Sequence, residues 1–191
     1  MRRLDIFEVI LLAALCAAVG TLAGHFLVVT NDLIVGSTRR VGPPDIYPTV
    51  PGKINPAITQ ANISQNICNP SWSTKSERPP SSYTSNLKAK QLKQLGYADQ
   101  NPADYEEDHL ISLELGGNPT DPMNLWPEPY KASIPDGGAK SKDTVENYLH
   151  SEVCAGKLTL QAAQTQIVND WYVVLKQIKT LGAGASDPDD Q

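Results

Sequence analysis

The clearest hydrophobic pattern lies near the end of the chain. Leu160, Ala163, Ile167, Trp171, Val174 and Ile178 recur at steps of three and four, which puts them on one face of a helix. Thr159 is placed to cap its start, and Gly156 to stop whatever precedes it. Upstream, Val145, Tyr148, Leu149 and Val153 mark a second amphipathic helix over about Ala139–Cys154, with Asp143, Glu146 and His150 together on another side. Leu87, Leu92 and Leu95 predict a third, capped by Ser85 and halted at Gly96, with its lysines facing outward. A short fourth helix is expected over Ala57–Ile67. Between these lies a different pattern. Tyr105–His109 reads as a strand, Gly116-Gly117 as a reversal, and Asn124 to Pro129 as a returning segment.

The N-terminus carries an uncharged apolar run from about Val9 to Val29, long enough to span a bilayer. Two readings stay open for residues 1–30: an uncleaved anchor behind Arg2 and Arg3, or a signal peptide cleaved after the small residues near Ala18 or Ala23. Both send the rest of the chain out of the cytoplasm, either held at the inner membrane facing the periplasm or secreted. Residues 31–60 are rich in proline and turn residues and read as a linker or a loosely wrapped arm. The acidic residues 182–191 read as a disordered tail. That leaves a folded domain over 61–181.

A length of 191 residues suits one domain with appendages. The formal charge of −5 supplies no overall basic field for nucleic acid, although Lys75, Arg78, Lys88, Lys90 and Lys93 cluster just before the acidic stretch. Cys16 belongs to the apolar run, so Cys68 and Cys154 remain in the folded part. They form either a disulfide or two buried thiols. A bridge closing so long a loop is worth about 4–5 kcal/mol in the chain-entropy picture. No Cys-x-x-Cys spacing points to zinc.

Phosphodiester hydrolysis needs a base near neutral pH, charge stabilisation at phosphorus and help for the departing oxygen. Histidine suits the first role, and a hard divalent cation held by carboxylates suits the others. Glu106, Asp108, His109 and Asn124 form such a set. Neighbouring strand residues point to opposite faces, so Asp108 and His109 can serve one site only if the strand ends, twists or bulges there.

These residues resemble the HNH endonucleases of the ββα-metal class. The similarity is to a bacterial branch written roughly as DHLIPLELGG, NLWPEP, a KD-containing helix and a VC-G segment. The corresponding stretches here are DHLISLELGG, NLWPEP, Lys142-Asp143 and Val153-Cys154-Ala155-Gly156. The resemblance covers about residues 67–172. It implies an α+β fold with a small ββα-metal core, flanked by helices and a long irregular N-terminal arm. It also implies hydrolysis of DNA, with RNA as an alternative, and a divalent ion: Mg²⁺ first, with Mn²⁺, Zn²⁺ or Ni²⁺ as alternatives. His109 matches the general base, Asp108 the adjacent metal ligand, and Asn124 the residue that positions loop and base. Glu106 matches an acidic position more loosely. The histidine expected on the following helix is absent, which leaves Asp143 or Glu146 as the remaining ligand and Lys140 and Lys142 as phosphate contacts. The partners implied are a nucleic acid and, through an uncleaved N-terminal segment, a membrane; no protein partner is predicted. The rival reading is a non-catalytic binding or structural module on a degenerate nuclease scaffold.

Overall fold

The computed structural model describes residues 46–182, so the expectations for residues 1–45 and 183–191 lie outside it. The described chain is α+β. In order it runs through α1 (Thr74–Glu77), α2 (Ser81–Gln94), β1 (Tyr105–His109), β2 (Leu125–Pro129), α3 (Ala139–Cys154) and α4 (Leu160–Leu181), with short 3₁₀ turns between. Among the described residues no helix is long and apolar enough to cross a membrane.

The strands pair antiparallel in a two-stranded sheet, with Tyr105 opposite Pro129, Asp108 opposite Trp126 and His109 opposite Leu125. β2 is buried throughout, and Pro127 and Pro129 suit an edge that needs few donors. Its free carbonyls are satisfied from α2 and the segment after it. Gln91 Nε2 donates to Leu125 O (2.8 Å) and Tyr97 Oη to Pro127 O (2.9 Å). Beyond the sheet, α3 and α4 pack together. Val145, Leu149 and Val153 meet the predicted stripe of α4, every member of which is buried. Thr159 caps α4 through its side chain, and the helix is interrupted at Asp170.

Three expectations about secondary structure are corrected. First, α2 begins at Ser81, with Pro80 rather than Ser85 before it. The Pro79-Pro80 pair holds the backbone extended up to the first turn, so Ser85 falls inside the helix. Lys88 also turns inward, its ammonium reaching Tyr105 O at 2.6 Å. Second, Ala57–Ile67 is a series of turns with a 3₁₀ segment only at Ile63–Gln65. Asn55, Asn62 and Asn66 side chains capture nearby backbone amides and compete with a helical ladder. Third, residues 46–60 are not a loose linker. Ile46, Tyr47 and Val50 enter the core, Trp171 donates to Ile46 O at 2.8 Å, and Ile54 bridges to Gly117. Gly117 is required there, because a Cβ would meet Ile111 O at 1.8 Å.

Cys68 and Cys154 are joined in a disulfide, with Cα atoms 5.4 Å apart. It ties the last turn of α3 to the segment before α1.

Candidate active site

β1 carries Glu106, Glu107, Asp108 and His109 along one wall of a cavity of about 500 Å³. The ladder is regular through five pairs, and the strand stops at His109. Asp108 and His109 both line the cavity, as do Asp143, Glu146 and Asn147 from α3, Glu114 from the loop and Tyr130 after β2. Arg78, Ser81, Thr84, Ser85 and Lys88 form another wall. The acids expected to converge therefore reach one space.

His109 is fixed by the loop that follows it. Its Nε2 lies 2.9 Å from Pro119 O, and a carbonyl can only accept, so the proton is on Nε2 and the lone pair is on Nδ1. Burial holds the ring below its ordinary pKa, although the Pro119 carbonyl and the Asp108 charge oppose this. The imidazole is thus neutral at pH 7, the form a base requires.

Asn124 sets that loop. Fully buried, it donates through Nδ2 to Ile111 O and Asn118 O (both 3.0 Å) and accepts through Oδ1 from Ile111 N (3.0 Å) and Lys53 N (3.2 Å). All its polar capacity goes to backbone, so it acts through the position of residues 111–119 and touches neither cavity nor imidazole.

Lys142 is the main departure from the expected site. It was expected to meet substrate phosphate, yet its side chain is fully buried and does not line the cavity. Its ammonium donates to Asp108 Oδ2 (2.6 Å), His109 O (3.0 Å) and Glu146 Oε1. The carboxylates enclose the side chain from β1 and from one turn further along α3, and this draws it inward. Lys140 is exposed and belongs to a separate cavity with Ser141, Thr144, Leu175, Ile178 and Lys179.

One ammonium cannot neutralise the acids around it. Burial alone would raise Asp108, but the Lys142 charge and hydrogen bond override it and hold that carboxyl below its usual range. Glu146 and Glu128 are driven the other way, chiefly by burial and then, against the pull of Lys142, by the Asp108 charge. Glu128 has no donor for either carboxyl oxygen; protonated, it has an O–H to give Asp108. Burial, then Asp108 and Asp143, raises Glu106 to about 7. Burial, then Asp108, raises Glu107 to about 8, and both of its buried oxygens lack partners.

Glu107, Glu114, Glu128 and Asn147 were missed as cavity or network residues, and Arg78 was named only as one of the upstream cations. Two had a signal in the sequence. Asn147 lies one helical turn beyond Asp143, and Glu128 sits diagonal to Asp108 across the hairpin.

A second cluster joins the disulfide. His150, partly exposed on α3, has Nε2 2.7 Å from Ile67 O and Nδ1 3.8 Å from Glu114 Oε2. Ligand atoms of Cys68, His150 and Cys154 lie within 4.8 Å of one another, a grouping able to hold a metal ion. With the sulfurs bonded to each other, neither is a free thiolate.

No family model matches the chain, and neither a curated protein nor a solved structure matches it.

Proposed function

We propose that the chain is a metal-dependent HNH-type endonuclease that hydrolyses phosphodiester bonds of DNA, with RNA as an alternative substrate. The observation that carries this reading is His109, its Nε2 anchored on Pro119 O and its lone pair on Nδ1, beside convergent carboxylates on one cavity. Nδ1 takes the proton of a water as its oxygen forms the new bond to phosphorus and the P–O3′ bond breaks, and the departing 3′ oxygen takes a proton from solvent water. Asn124 keeps the loop, and hence the imidazole, in register. A group placed this way contributes about 10²–10⁴-fold to rate.

The donor set fits a divalent cation. Carboxyl groups with raised pKa and buried oxygens without partners mark more negative charge than Lys142 balances. Asp108 and Asp143 would hold the ion, with Glu146, Glu106 and Asn147 adjacent. The ion would supply charge neutralisation at the phosphate and leaving oxygen. Binding then displaces protons from the raised carboxyls, so affinity rises with pH.

The Cys68–Cys154 bond favours an oxidising compartment and so supports export. The test is plasmid nicking by the purified full chain with Mg²⁺ or Mn²⁺. His109→Ala should cut the rate at least about 100-fold; undiminished cleavage overturns the reading.

One observation favours the alternative of a non-catalytic scaffold. The Lys142 ammonium already sits among three oxygens from Asp108, Glu146 and His109, a place suited to a cation. A thermal-denaturation series separates the two: a divalent ion stabilises the nuclease and leaves the scaffold unchanged.

A further inference from the structure

The two lysines expected to meet substrate are both turned elsewhere, and the cavity's own cations identify a different anchor. Arg78 and Lys88 are the Lys and Arg residues lining it. Lys88 is a point charge whose ammonium is tied to Tyr105 O at 2.6 Å. Arg78 is exposed, and its guanidinium, with five N–H donors, makes neither a hydrogen bond nor an ion pair among the described residues. Its backbone is nevertheless fixed. Arg78 N donates to Thr74 O at 3.0 Å, and the residue is extended (φ −61°, ψ 132°) before Pro79-Pro80. The hydroxyl-bearing residues Ser81, Thr84 and Ser85 line the wall that α2 presents beside it. The Arg78 charge reaches both Glu106 and His109, so the guanidinium and the base share one field.

We infer that Arg78 is the phosphate anchor of this cavity. Its planar fork grips a backbone phosphate of a nucleic-acid strand, and the Ser81, Thr84 and Ser85 wall carries the strand past His109. A guanidinium suits this role better than the expected lysines, because two parallel N–H bonds orient a phosphate and a point charge does not. The inference rests on the proposed nuclease reading and sharpens where its substrate lies.

The experiment measures binding of a short fluorescein-labelled DNA duplex by anisotropy, using the full chain with Mg²⁺ in the His109→Ala background so that the duplex stays intact. Adding Arg78→Ala should weaken binding about tenfold to a hundredfold, the range of a lost charge-assisted contact. The slope of log K against log salt should fall by about 0.9, one phosphate's share. Arg78→Lys should restore the slope but only part of the affinity. Melting curves confirm that the variants fold. An unchanged affinity and slope in Arg78→Ala overturns the anchor, whether or not the wild type nicks plasmid. Binding of inorganic phosphate that depends on Arg78, without duplex binding, also overturns it. Duplex binding that depends on Arg78, with no cleavage by the wild type, keeps the anchor and defeats the nuclease reading.

Discussion

Helix α3 separates two interiors of opposite character. On one side Val145, Leu149 and Val153 close against α4 with almost no exposure. On the other, Lys142 is equally inaccessible, but its neighbours are Asp108, Glu146 and Glu128. The first interior gains from every apolar contact whatever the pH. The second exists only while charges and protons are apportioned correctly, since a buried charge without its partner costs several kcal/mol. The same helix thus pairs a general-purpose core with a tuned one, and chemistry concentrates in the second.

The largest expected effects set these interiors against each other. Trp171→Ala removes a buried indole and its bond to Ile46 O, and should cost about 3–5 kcal/mol. Lys142→Met should cost about the same at pH 8, because it strands Asp108 and Glu146. Denaturant titrations at pH 8 and pH 5 tell them apart. The Trp171 loss should persist at both, whereas the Lys142 loss should shrink at pH 5 as the stranded carboxyls protonate. If both losses behave alike, the charged interior is not held together by Lys142.

The same contrast explains what the sequence disclosed. The α4 stripe and the limits of α3 were legible because packing repeats every three to four residues and each position votes. That Asp108 and His109 would face one space was expected from the order of residue types, and no periodicity pointed to it. Lys142 and Arg78 were not legible, and for the same reason. Lysine on an amphipathic helix reads as surface, and only the approach of β1 reveals Asp108 above it. Arg78 reads as one of a cluster of cations just before the acidic stretch, none singled out, until Pro79-Pro80 turns α2 against the cavity. Both depend on contacts between distant segments, to which a local pattern is blind.

A smaller effect should appear in the wild type. Glu106, at about 7, and Glu107, at about 8, hold protons in the folded state that they release in the unfolded chain above about 4.5. The folded state binds more protons across that interval, so their contribution is full below 4.5, declines above it, and is gone past about 8. His109 works oppositely: its depressed pKa gives stability that is present above 6.5 and lost as the pH falls. Above 6.5, then, only the carboxyl effect remains, and Tm should fall between pH 6.5 and pH 8. Saturating Mg²⁺ should reduce the Glu106 share of that fall, because the ion beside it favours the ionised carboxylate, and should leave the Glu107 share in place. A Tm that stays level without metal would mean the carboxyls are not held protonated.

The smallest expected effect is the most discriminating about where substrate lies. Lys140 begins the same helix as Lys142 and was assigned the same role, yet it is exposed and its cavity is formed with Leu175, Ile178 and Lys179 of α4. A surface lysine adds a screened, sequence-independent attraction and no fixed contact. Lys140→Ala should therefore leave the nicking rate within about twofold at physiological salt, where screening acts over about 8 Å. Any loss should appear only at low salt, as slower association with an unchanged rate for bound substrate. A tenfold fall at physiological salt would show that the strand runs over α3 towards α4, and the boundary between the inert interior and the reactive one would have to be redrawn there.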